Sequence, residues 1–296
     1  MPGQGSLGGK RCRYCQGDRC SYCYLDRAKK PITNFSKQKE PQKLPLALPA
    51  NIEYIYDGSL SGFYCCLFES VYNHELPLRI EKIENEQPSL LPKKFIPTED
   101  DKAQRVAKSI VTRISLESAQ MVEDIFLTCM EEKEISLLRF LIFSYETGRK
   151  SLYMLGHPLV APLWQARKHM MGEIQLLMGF IRFSDFGEVM AAVITPKNFV
   201  LPYLASHFIG RFERENFMIF DKTHKAALIY ENGIKQFISI DNISFPETPQ
   251  EETRYQELWK QFYRTIAIES RENPRCRMTH MPKRYWENMT EVQEYL

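Results

Sequence analysis

Apolar residues recur every three or four positions through the middle of the chain. Ala103, Val106, Ile110 and Ile114 share one helical face. The same period predicts helices over 118–129 and 134–145. A fourth helix opens at His157-Pro158, with Leu163, Ala166, Met170, Ile174 and Leu177 as its stripe. Thr98, with Asp101 three residues on, resembles an N-terminal cap ahead of the first of these helices. Upstream, 53–56 reads as a short strand, Asp57-Gly58-Ser59 as a turn, and 63–72 as a helix with Ser61 as its candidate cap. From residue 180 the period shortens. Hairpins are predicted over 180–183 with 188–195 and over 217–220 with 226–230, and a strand over 233–240. Helices are predicted over 199–212 and 251–270.

Segregated runs of helix and strand predict an α+β fold rather than alternating βαβ units. The first half is helix-rich and the second half carries a mostly antiparallel sheet. Strands 53–56, 180–183, 188–195, 217–220 and 226–230 are expected to share that sheet. Residues 1–50 break the pattern: Gly3, Gly5, Gly8 and Gly9 open them, and Pro31, Pro41, Pro45 and Pro49 punctuate them. We therefore expect a flexible, basic, cysteine-rich tail over 1–50 and a single domain over 51–296.

Composition changes this picture little. The 296 residues are 44% hydrophobic and 26% charged, which excludes wholesale disorder. No apolar run approaches the ~18 residues that span a bilayer, so no membrane association is expected. Residues 1–13 are polar and basic with no apolar core of a signal peptide, so the expected location is cytoplasmic. Charge is more informative. Residues 1–50 hold 10 basic and 3 acidic side chains, whereas the rest of the chain has a net charge of −5. A basic tail on an acidic body suits contact with phosphates, and it equally suits a solubilising extension.

Three groups of residues carry candidate chemistry. Cys12, Cys15, Cys20 and Cys23 form two Cys-x-x-Cys pairs only four residues apart. Four thiolates can hold zinc or an iron–sulfur cluster, although most zinc sites leave a longer gap between pairs. His169 and Glu173 lie one helical turn apart, as do His207 and Arg211, with Arg182 and Lys197 near them in sequence. Histidine would serve as acid or base and arginine would hold phosphate, which makes these the candidate catalytic residues. The alternative for each pair is structural pairing. Finally, Lys283, Arg284, Tyr285 and Trp286 interleave cations with aromatic rings. That pattern suits stacking on an unpaired base beside a phosphate contact, in which Lys197 would join, and it also suits docking of the C-terminus on the core. No phosphate-binding Gly-rich loop and no nucleophile elbow is present.

Several blocks, taken in order, resemble a known family. They are Tyr54-Ile55-Tyr56-Asp57-Gly58-Ser59 with Gly62-Phe63, Gly156-His157-Pro158, and Gly179-Phe180-Ile181-Arg182-Phe183. Pro196-Lys197-Asn198 with Leu201-Pro202 follows, then His207-Phe208 with Arg211-Phe212, and Met281-Pro282-Lys283-Arg284-Tyr285-Trp286. Together they resemble a bacterial family described as "probable DNA metabolism protein", a domain of unknown function, over about 51–296. Members are usually encoded beside a radical S-adenosylmethionine protein assigned to DNA modification or repair, and related domains are fused to uracil-DNA glycosylase-like domains. The resemblance implies DNA and such a radical enzyme as partners and supplies no catalytic residue. The expected function is an accessory role in DNA metabolism or repair. The alternatives are an enzyme acting directly on nucleic acid through the His/Arg residues, and a structural partner without DNA contact.

Overall fold

The computed structural model describes residues 47–85 and 88–295. The expected tail, with Cys12, Cys15, Cys20 and Cys23, lies outside the described residues apart from its last few positions. The chain enters the fold on β1 (Leu48–Tyr56), which places Tyr54 and Tyr56 in a first hydrophobic core. A turn leads into α1 (Leu60–Tyr72). Its cap is Ser59 rather than Ser61, because the Ser59 hydroxyl accepts the Gly62 amide at 2.9 Å. The Asp57 carboxylate fixes this turn by accepting the Ser59 amide at 2.9 Å and the Thr98 hydroxyl at 2.8 Å. Thr98 is thus drawn to Asp57 and does not cap the helix that follows it. Gly62 is required by close approach: a Cβ there would sit 2.2 Å from Asp57 Oδ1.

β2 (Glu75–Lys82) returns parallel to β1, and β3 (Lys93–Phe95) pairs parallel on its other side, giving the order β2-β1-β3. The expectation that strand 53–56 joins the later strands is therefore corrected: it centres a separate, wholly parallel sheet built on a β1-α1-β2 unit. β2 gives a weak strand signal because Pro77 interrupts it. As an edge strand it tolerates a residue that donates no backbone hydrogen bond.

The helices α2 (Asp100–Ser109), α3 (Leu116–Phe126) and α4 (Lys133–Thr147) complete the first core. α2 runs into a wider turn over Ile110–Ile114, and the Ser115 hydroxyl caps α3 on the Ser118 amide at 3.1 Å. α5 (Ala161–Phe180) joins two cores. Leu163 packs in the first, and Met170, Ile174 and Leu177 pack in the second. α5 extends through Phe180, so 180–183 is not the strand that its apolar run predicts. Phe183 instead packs edge-on against Phe208, Phe212 and Phe217.

The second sheet contains β4 (Ser184–Asp185), β5 (Met190–Ile194), β6 (Phe217–Asp221), β7 (Ala226–Glu231) and β8 (Ile234–Ser239), in that spatial order. It is mostly antiparallel. β5 and β6 pair in parallel because α6 (Leu201–Arg211) crosses between them. The β7–β8 turn uses Asn232 and Gly233, both at positive φ, as a two-residue hairpin requires. The chain ends with α7 (Gln250–Ile266), α8 (Pro274–His280) and short 3-10 turns over Lys283–Asn288 and Gln293–Tyr295. Tyr285, Trp286, Met289 and Val292 are buried in the second core, which anchors the C-terminal segment.

Candidate functional site

Helical spacing along α5 turns Glu173 inward beside Ile174 and Leu177, where a carboxylate is stable only if hydrogen-bonded. It is fully partnered. Oε1 accepts the Lys197 amide at 3.0 Å, Arg284 Nη2 at 3.0 Å and the Tyr285 hydroxyl at 2.9 Å. Oε2 accepts the Asn198 amide at 2.8 Å and Asn198 Nδ2 at 2.6 Å. Burial alone would raise its pKa, but the Lys197 and Asn198 amides outweigh that and hold it below the ordinary carboxylate value. A carboxylate with its lone pairs filled and its affinity for a proton lowered is a poor general base. Its role is to hold three distant segments together: α5, the β5–α6 connection and the C-terminal turn.

Five of the ten candidate body residues meet here. His169 and Glu173 come from α5, Lys197 from the connection, and Arg284 and Tyr285 from the C-terminus. His169 Nδ1 lies 3.5 Å from Asn198 Nδ2, at the outer limit of a hydrogen bond. Lys197 and His169 are exposed and Arg284 is partly so, which leaves polar and basic side chains at the edge of a buried anion; Lys283, next to Arg284 in the chain, is exposed with its ammonium over the Trp286 ring. The two rings lie elsewhere than base stacking requires. Tyr285 and Trp286 are 2% and 3% exposed, and Trp286 Nε1 donates to the Met281 carbonyl at 2.9 Å. Of the two sequence readings for this segment, these rings follow docking on the core.

The remaining candidates do not assemble into one His/Arg cluster. Arg182 spends its fork on Glu291, at 2.5 Å from Nη2 and 3.2 Å from Nε, and its guanidinium lies over the Trp259 ring. Lys197 belongs to the Glu173 site. His207 and Arg211 stay together on α6. Burial, with Arg211 adding to it, lowers the His207 pKa, and its Nε2 has no hydrogen-bond partner among the described residues. Arg211 packs over the Phe212 ring.

One buried network gives no sequence signal. Asp124 on α3 is fully buried and accepts Arg167 Nε, the Tyr203 hydroxyl and Gln120 Nε2, the last at 3.0 Å. Burial and this hydrogen bond push the Tyr203 pKa up. The network ties α3 to α5 and α6. Asp124 sits among Met121, Val122 and Ile125, where only tertiary structure reveals its partners.

Among the described residues no three His, Cys, Asp or Glu side chains gather as metal ligands, and no helix is long and apolar enough to cross a membrane. Cys65 and Cys66 are buried free thiols, whereas Cys129 and Cys276 are exposed. No curated protein and no solved structure matches the chain. The profile of a domain of unknown function matches residues 131–291, from the start of α4 to the C-terminal turn, and so encloses every residue of the Glu173 site. That match covers more than half of the sequence, and the chain belongs to this family, DUF4130.

Proposed function

We propose that the chain is an accessory protein of DNA metabolism or repair, which binds DNA through phosphate contacts at the rim of the Glu173 site. The observation that supports this most is the meeting of Lys197, His169 and Arg284 at one buried carboxylate, with Lys283 exposed beside Arg284 in the chain. Glu173 neutralises part of Arg284, and Lys197 and Lys283 are exposed to solvent, which suits a polyanion. The basic charge of residues 1–50 adds non-specific attraction. The resemblance to a DNA-metabolism family adds a partner: a radical S-adenosylmethionine repair protein to which this chain delivers DNA. Zinc or an iron–sulfur cluster at Cys12, Cys15, Cys20 and Cys23 belongs to the same proposal.

Fluorescence anisotropy of the full chain with labelled oligonucleotides, across a salt series, tests this. Affinity that falls steeply with salt supports it. Absence of DNA binding, both alone and with the radical enzyme, refutes it and leaves the structural-partner reading.

A further inference from the structure

We propose that the exposed apolar row of α7 is the interface of a two-fold dimer, in which two copies of this chain lay their α7 helices side by side and antiparallel. The inference does not depend on DNA binding.

Two seams run along α7. Glu252, Gln256, Trp259 and Tyr263 face the protein. Gln256 Nε2 bonds Ser184 Oγ at 3.3 Å, Trp259 Nε1 bonds Glu291 Oε2 at 3.0 Å, and Tyr263 packs on the second core. The other seam is Tyr255, Leu258, Phe262 and Ile266, respectively 67%, 50%, 52% and 57% exposed. Its steps of three and four residues are those by which one helix packs along another. Large apolar side chains aligned in a row on the surface mark an interaction site. Side chains of this size offer roughly 200 Å² each when fully open, so the row and the flanking Trp259, 40% exposed, present about 500 Å² per copy. Pairing two copies would cover about 1,000 Å², the size at which a specific interface begins.

Charge selects the occupant. α7 carries three acidic and three basic side chains and no net charge, which favours neither a polyanion nor a polycation. The charges are segregated along it. Residues 250–258 hold Glu251, Glu252 and Glu257 against Arg254, and 259–266 hold Lys260 and Arg264 with no acid. Glu251 and Glu252 stand in the first turn and Arg264 in the last. The surface complementary to such a helix is a second one running the other way. With Tyr255 opposite Phe262 of the second copy, Leu258 lies beside the two-fold axis. The acidic first turn of each copy then runs alongside the basic last turn of the other. A parallel pair would set Glu251 against Glu251, and it would align the two helix dipoles unfavourably. The antiparallel contact uses the same patch on both copies, so it closes at two.

Sedimentation equilibrium of the full chain across a concentration series tests this, with Leu258→Glu, Phe262→Glu and Glu251→Lys. The three side chains are exposed, and circular dichroism checks that each variant folds. The proposal expects a mass that rises with concentration from one chain to two and no further. Leu258→Glu and Phe262→Glu each place a charge in the seam and should weaken the dimer roughly a hundred-fold. Glu251→Lys should weaken it roughly three-fold at low salt, and added salt should narrow that difference. A mass of one chain at every concentration overturns the proposal. A dimer that neither Leu258→Glu nor Phe262→Glu weakens places the contact on another face and overturns it as well.

Discussion

Arg284 donates to Glu173 at 3.0 Å although 111 positions separate them in the chain. The bond joins the C-terminal turn to the middle of α5, and both groups lie at a core boundary where an unpaired charge is costly. Glu173 has 1% of its side chain exposed and Arg284 31%. The pair is thus a staple for the fold and, through the exposed part of Arg284, an edge of the proposed anion surface.

Glu173→Gln should therefore destabilise the protein by about 3 kcal/mol. The glutamine would keep one acceptor oxygen and turn its NH2 either on the donors of Lys197, Arg284 and Tyr285 or on those of Asn198, and Arg284 would lose its counter-charge. Urea denaturation checks this. A change under about 0.5 kcal/mol would show that the hydrogen bonds are replaceable.

Acid should weaken the same staple. Burial opposes ionisation of Glu173 and Glu291, but hydrogen bonds from the Lys197 and Asn198 amides to the first and from Arg182 to the second hold both folded pKa values below the ordinary 4.5. A folded pKa below the unfolded one gives stability that is complete above about pH 4.5. It is lost as pH falls through the folded values. The urea midpoint should stay level above that pH and drop below it, with a shallower drop in Glu173→Gln. A midpoint that rises on acidification would contradict this.

Two glycines should respond to alanine with opposite signs. At Gly62 the new Cβ would meet Asp57 Oδ1 and break the turn that caps α1, costing about 1–3 kcal/mol. At Gly172, inside α5, nothing lies within 4 Å, and alanine should stabilise by up to about 1 kcal/mol. Thermal denaturation of both variants separates them, and equal effects would contradict the geometry.

Neighbours at the C-terminus should separate stability from binding. Trp286→Ala removes a ring from the second core and should cost about 3–5 kcal/mol. Lys283→Ala, three residues earlier and exposed, should change stability by less than about 0.5 kcal/mol and weaken DNA binding. Paired denaturation and anisotropy measurements check both.

Much of this architecture is legible in periodicity. The α5 stripe places Met170, Ile174 and Leu177 together, and the strands predicted over 217–220 and 226–230 pair as β6 and β7. The parallel sheet escapes notice because Pro77 masks β2 and β3 is three residues long. Spacing pairs His169 with Glu173, but no local pattern reveals that Asn198 and Arg284 converge on that carboxylate. Side chains joined across 25 and 111 positions meet only through tertiary packing. The same holds for Arg182, whose sequence neighbourhood suggests His207 while its fork reaches Glu291. The interleaved cations and rings of 283–286 are visible in sequence, yet burial divides them: Tyr285 and Trp286 face the core and Lys283 faces water.

The central claim is that the cations around Glu173 hold nucleic-acid phosphate, and the salt dependence of DNA binding tests it most directly. Wild-type protein and the double variant Lys197→Ala/Lys283→Ala would be titrated on one oligonucleotide from low to high salt. If both lysines contact phosphates, the slope of log affinity against log salt should fall by about 1.4 to 1.8 in the double variant. An unchanged slope and affinity would place DNA binding, if any, outside this surface.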